Sequence, residues 1–307
     1  MRFLATIASL LFAACLAPGA AFAAIGVTIT DGSLDGYADA IESMLALLPF
    51  HPVEGAAEWI DDEIERLLAM QGSDGGWGAY DKDNNRIVFN YIPFADHHAL
   101  LDPSTADLTG RCLEMLAALG YDRSHPAVAP ALAFLKHEQE VDGSWYGRWG
   151  VNYLYGTFLA LRGLRAAQDP SASKAVWKAG KWIVSVQNGD GGWGESCASY
   201  HEGHFVPAPS TPSQTAWALL GLVAAGQGDG EALARGVRYL VDTQKPDGTW
   251  DETLATGTGF PNVFYLRYTL YRNYFPLLAL AQARRAIEDA ARTLRLVQES
   301  EPSRPLR

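Results

Sequence analysis

Apolar residues recur at three- and four-residue intervals in two alternating sets of segments, and this spacing predicts helices. One set covers 59–70, 128–138, 175–186 and 231–243. The other covers 104–119, 151–167, 211–225 and 263–283, and one further helix is expected near 37–48. Each helix of the first set runs into the same pattern, Gln-x-x-Asp-Gly-x-Trp: Gln71 to Trp77, Gln139 to Trp145, Gln187 to Trp193 and Gln244 to Trp250. Repeats at this spacing signal stacked supersecondary units. Asp-Gly supplies a tight turn, and Gln and Trp are expected to tie neighbouring turns, the Gln through its amide and the Trp by stacking on it. Thr211-Pro212-Ser213-Gln214 reads as a capping box and Ser104-Thr105-Ala106-Asp107 as a second S-x-x-D start, with Gly120 and Gly226 as stops. The predicted class is all-α: helical hairpins closing into an α/α barrel (toroid), complete or incomplete, with an open α-solenoid as the alternative. The second helices carry most of the aromatics and are expected to line a cavity.

The chain of 307 residues is 48% hydrophobic, enough for one large core or two modest ones. A net charge of −11 argues against nucleic acid as a partner. Nine Trp, thirteen Tyr and twelve Phe serve either packing or the lining of a site for an apolar or cationic guest. Residues 1–23 read as a secretory signal peptide: Arg2, an apolar run from Leu4 to Leu16, and Ala21-Phe22-Ala23 as the cleavage site. A lipoprotein reading would use Cys15. The expected location is therefore periplasmic or secreted, with the cytoplasmic membrane face as the alternative if the start is misassigned. The expected divisions are 1–23 signal peptide, 24–54 a partial inner helix and lead-in, 55–298 the helical domain, and 299–307 a disordered tail. Nothing in the spacing pairs Cys112 with Cys197. Cys197, His201 and His204 form a C-x3-H-x2-H run, a weak zinc signal, and His97-His98 reads as an exposed loop pair. Neither a metal nor a cofactor is expected.

The repeats resemble the QW repeats of squalene–hopene and oxidosqualene cyclases. GGWGAYDKDN (75–84), DGSWYGRWGVNYLYGT (142–157), GGWGESCASY (191–200), STPSQTAWAL (210–219) and TGTGFPNVFYLRYTLYRNYFPLLAL (256–280) resemble the bacterial squalene–hopene enzymes more closely, over roughly residues 55 to 285. The resemblance implies cationic polycyclisation of squalene or a related isoprenoid, an isomerase-type reaction within triterpenoid and hopanoid synthesis, in an apolar pocket whose ring faces stabilise carbocations without trapping them. It implies that Tyr80, Trp149, Tyr155, Phe260, Phe264, Tyr268 and Tyr271 line that pocket. Asp107 resembles an Asp beside the acid, although the S-x-x-D pattern favours a helix cap for it. Arg111 stands where some relatives have a His hydrogen-bonded to the acid.

The family's acid motif, D-x-D-D, is not intact. Its place is taken by Asp35-Gly36-Tyr37-Ala38-Asp39, leaving Asp39 and Asp35 as weakened acid candidates. An Arg at 111 holds a carboxylate anionic and cannot deliver a proton. The expectation is a cyclase-like protein impaired or inactive as a lone chain. The alternatives are a non-catalytic toroid that binds an apolar ligand or a partner, and one chain of a split cyclase. An incomplete barrel would leave an apolar edge for a missing cyclase half or a second copy, and a membrane surface is a further expected partner.

Overall fold

The computed structural model describes residues 56–91, 100–228 and 230–300. Along the chain run α1 (Ala56–Ala69), α2 (Ala106–Ala118), α3 (Val128–His137), α4 (Tyr153–Ala166), α5 (Ser173–Ser185), the short α6 (Ser199–Glu202), α7 (Pro212–Ala224), α8 (Glu231–Thr243), the strands β1 (Gly257–Phe260) and β2 (Phe264–Leu266), and α9 (Tyr271–Ser300). The helices form two layers of an α/α toroid. α2, α4, α7 and α9 pack side by side in that order as the inner layer, and α3, α5 and α8 back them from outside. Sequence composition sets the layer. α7 is apolar nearly all round and buries every residue but Val223, whereas α8 buries only Leu233, Gly236 and Leu240. α2 and α4 cross in backbone contact at Gly110 and Gly163; a Cβ on Gly110 would collide with the Leu159 carbonyl.

The predicted helix 263–283 is corrected. Its first part is a hairpin, with Gly257 opposite Leu266 and Phe260 opposite Phe264, and the helix begins only at Tyr271. Asn262 takes a φ of 67° at the tip, a conformation Asn tolerates. The aromatic and β-branched run Val263 to Leu266 suits a pleated surface. α9 continues through Glu299 and Ser300, past the expected start of the tail. The signal peptide, the helix near 37–48, Asp35, Asp39, His97-His98 and residues 301–307 lie outside the described residues.

Candidate functional site

Each repeat is a lock of the same design. The Trp ring is fully buried and its indole N–H donates to a carbonyl of the preceding outer helix: Trp77 to Leu67 (2.8 Å), Trp145 to Leu135 (2.7 Å), Trp193 to Ile183 (2.8 Å) and Trp250 to Leu240 (2.8 Å). The Trp backbone N–H donates to an inner-helix side chain: Thr109, Thr157, Thr215 and, in the last repeat, Asn273. The Gln amide bridges its own turn to the start of the next outer helix, Gln71 to Gly75 and Ala127, Gln139 to Gly143 and Ala175, Gln187 to Gly191 and Ala232. Among the described residues Gln244 bonds Gly248 alone. The tie expected from Gln is thus present; the link made by Trp is a hydrogen bond to the helix behind it. The turn glycines Gly75, Gly143, Gly191 and Gly248 have φ between 82° and 104°.

Three buried carboxylates order the inner ends of this frame. Glu195 accepts from the N–H groups of Asn152, Tyr153 and Leu154 at 2.9–3.0 Å, so the third repeat caps α4 of the second. Glu252 does the same for α7 through Ser213 N–H and Oγ, both at 2.9 Å. Burial pushes both carboxyls up, against the pull of these donors. Asp107 reverses the direction: its Oδ2 accepts from Arg148 N–H (2.9 Å) and Trp149 N–H (3.0 Å) in the next repeat. The S-x-x-D cap is therefore not made. Thr105 is the N-cap and makes no side-chain cap bond, while Ser104 Oγ donates to Asp74. The Thr211 cap is made, but Gln214 does not close the box; its amide donates instead to Val151 and Glu195 carbonyls. Glu195 and Glu252 escaped sequence reasoning, although Trp-x-Glu in the third and fourth repeats is the signal for them.

Trp149 sits on the loop that Asp107 holds. Tyr200, on α6, fixes the same loop from the other side, its hydroxyl 2.7 Å from the Gly147 carbonyl and 2.8 Å from those of Gly150 and the Thr258 Oγ1. β1 completes the grip, with Val151 N–H donating to Thr256 and Thr258 N–H to Trp149. The Trp149 ring meets Tyr80 edge-on at 5.8 Å and carries the Arg148 guanidinium 5.4 Å above it. Tyr80 is half exposed.

A second group runs through the inner layer. Tyr155 lies edge-on to Trp217 at 4.9 Å; Trp217 meets Tyr271 and Phe275; Tyr271 lies 4.6 Å from Tyr268. Arg111, buried, donates to the Tyr155 hydroxyl at 3.0 Å and lies 5.9 Å from its ring centroid. Phe260 and Phe264 pair across the hairpin at 5.8 Å. The seven aromatics expected from the sequence thus fall into three sets: Tyr80 with Trp149, Tyr155 with Tyr268 and Tyr271, and the two Phe. Trp217, the hub of the second set, was not foreseen; its position in STPSQTAWAL was the available signal. Its Nε1 and that of Trp149 are buried with no hydrogen-bond partner among the described residues. Cys112 and Cys197 are free thiols, and burial pushes Cys197 up to about 11.

Two cavities lie at the C-terminal ends of the inner helices, away from these rings. One of ≈ 570 Å³ is bordered by Glu114, Arg162 and Arg285, and one of ≈ 730 Å³ by Arg165, Trp177 and Gln227. Among the described residues no helix is long and apolar enough to cross a membrane.

The profile of the squalene-hopene cyclase C-terminal domain matches residues 38–285. A probable squalene–hopene cyclase of Sinorhizobium fredii is 52% identical over 234 residues, covering 74% of this chain and 34% of the relative. The squalene–hopene cyclase of Alicyclobacillus acidocaldarius is 50% identical over 223 residues, covering 72% and 35%. The chain therefore spans about a third of the length of the curated relatives it matches. Among solved structures, a type II terpene cyclase from Scytonema, bound to geranylgeranyl dihydroxybenzoate, superimposes with a TM-score of 0.58 at 13% identity, covering 82% of this chain and 74% of that one. That likeness concerns the fold. With four QW locks, the inner aromatic groups and about half of the aligned residues identical to such relatives, the chain belongs to the squalene–hopene cyclase family and carries the sequence of its C-terminal domain.

Proposed function

We propose that this domain supplies the cation-facing wall of a squalene–hopene-type cyclase site and receives an apolar isoprenoid, squalene or a close relative. The observation that carries this reading is the contiguous ring set from Tyr155 through Trp217 and Tyr271 to Tyr268. Ring faces stabilise a carbocation by about 0.5–2 kcal/mol each without offering it a lone pair, and a rigid frame keeps them aimed at no cost during reaction. Proton delivery needs a carboxylic acid in its neutral form. Asp107, Glu195 and Glu252 are each held by two or three N–H or O–H donors. In these contacts all three serve the frame, tying one repeat to the next. Arg111 beside Tyr155 stabilises any neighbouring carboxylate as its anion. The lone chain is therefore expected to bind squalene and to cyclise it weakly or not at all.

The test is incubation of the full chain with squalene in mild detergent, followed by gas chromatography–mass spectrometry and a parallel binding measurement by tryptophan quenching. Saturable quenching with at most trace cyclic product supports the reading. Robust cyclisation would show an effective acid and overturn the impaired state. Neither quenching nor product would leave the partner-binding toroid, which the broken motif at residues 35–39 favours as the second reading.

A further inference from the structure

α6 has only four residues, yet its buried Tyr200 meets both the Trp149 loop and the β1–β2 hairpin. The Tyr200 hydroxyl has one proton, shared between the Gly147 and Gly150 carbonyls at 2.7 and 2.8 Å. Thr258 Oγ1, 2.8 Å away, is left to donate to the phenol oxygen. One atom thus pins both ends of the 147–150 loop to β1. The same segment holds the hairpin at three further points. The Asn262 side-chain amide donates to the Tyr200 carbonyl (3.4 Å), and the Tyr265 hydroxyl donates to the Cys197 carbonyl (3.3 Å). The Tyr265 ring stacks on Tyr200, with centroids 5.7 Å apart and planes 25° apart. Alternation along a strand turns this seat into an orientation. Phe264 and Tyr265 are successive residues of β2, so their side chains leave opposite faces. With Tyr265 held on α6, Phe264 and its cross-strand partner Phe260 turn away from α6. Trp149 is constrained in its own way: the Arg148 guanidinium covers one face of its ring and leaves the other for a guest.

We infer that Tyr200 is a positioning residue for the cation path. Its hydroxyl and ring register Trp149 against Phe260 and Phe264, so that rings from two separate loops turn their faces to one guest. Given the domain's role as the wall of a cyclase site, on which this inference rests, the aromatic wall then extends from the inner helices to the loops. Such registration matters for charge more than for bulk. Dispersion contact with a neutral hydrocarbon is summed over many atoms and tolerates a tilted ring, whereas a cation is attracted only where a ring face lies over it. Tyr200 acts through the two loops, being itself buried beneath them.

Tyr200→Phe keeps the stacked ring and deletes the hydroxyl. Tryptophan quenching of the full chain by squalene and by farnesyl trimethylammonium, a permanent cation on an isoprenoid chain, separates the outcomes. With helical circular dichroism retained, the variant is expected to bind squalene as the wild type does and the ammonium about tenfold more weakly. Thr258→Val, which removes the donor to the same oxygen, should act in the same direction, and the double variant should lose no more than Tyr200→Phe alone. Tyr239→Phe deletes a hydroxyl that α8 donates to the Ser210 carbonyl, and it should leave both affinities unchanged. Hydrogen exchange in Tyr200→Phe should quicken together at residues 147–151 and 257–266 and stay slow at the third QW turn, 187–193. Equal losses for both ligands would make Tyr200 a purely structural residue and overturn the inference. Unchanged ammonium binding by Tyr200→Phe would overturn it alone, with squalene binding left standing. A wild type that binds neither ligand would sink the cyclase wall and this inference with it.

Discussion

The indole N–H of Trp145 reaches back ten residues to Leu135, and its backbone N–H reaches forward to Thr157, so one side chain joins an outer and an inner helix through two bonds. Trp145→Phe removes the first bond and strands a buried carbonyl, a loss of about 1–3 kcal/mol before any packing defect is added. Urea denaturation monitored by circular dichroism measures it; an unchanged midpoint would refute the lock. Glu195→Ala exposes three N–H groups at the start of α4 and should cost at least as much, with Glu195→Gln recovering part of it. Cys197, raised to about 11 by burial, should react with iodoacetamide about two orders of magnitude more slowly than an ordinary thiol near neutral pH, its rate climbing with pH as the thiolate forms. Mass spectrometry of the labelled peptide reads this, and a midpoint near ~8.5, the ordinary thiol value, would contradict the burial. At this scale the sequence displayed the repeating residues but not their partners. Asp107 looked like a cap from its spacing, and only the fold brings Arg148 and Trp149 to it across 41 residues.

Periodicity located every helix of the two layers except α9 to within a few residues. It failed at 263–270 because a short apolar aromatic run satisfies both helical and strand spacing. The turn glycines make a sharper comparison between elements. Gly191 and Gly248 both take positive φ, 90° and 82°. A Cβ at Gly191 would also meet the Arg235 carbonyl at 2.9 Å, whereas at Gly248 it meets nothing within 4 Å. Gly248→Ala should therefore cost only the backbone term, about 1–2 kcal/mol, and Gly191→Ala distinctly more, because α8 must also move. Paired thermal melts decide; equal losses would mean that the turn does not grip the next helix.

For the whole molecule, the toroid was legible because repeats survive in one dimension. The grouping of the rings was not, since Trp217 joins Tyr155 to Tyr271 only when α4, α7 and α9 stand side by side. Trp217→Ala should empty the centre of that group, cost about 3–5 kcal/mol, and abolish squalene quenching more severely than Tyr80→Ala, a change at the half-exposed rim. Titration calorimetry or quenching tests the order of effect, and a larger loss at Tyr80 would relocate the ligand to the Trp149 side.

The locks also have a direction in time. The Gln of each of the first three turns grips a helix that lies later in the chain, so on a ribosome the latch exists before its helix emerges. Glu195 and Glu252 act in the opposite sense, sealing α4 and α7 only after some forty further residues have been made. Synthesis therefore alternates between capture and delayed closure: each new helix docks at once, while the inner helix before it waits with an open end for the next repeat. Nascent chains arrested before and after Glu195 should differ abruptly in protease resistance at the start of α4, and a smooth increase would show that the carboxylate closes nothing.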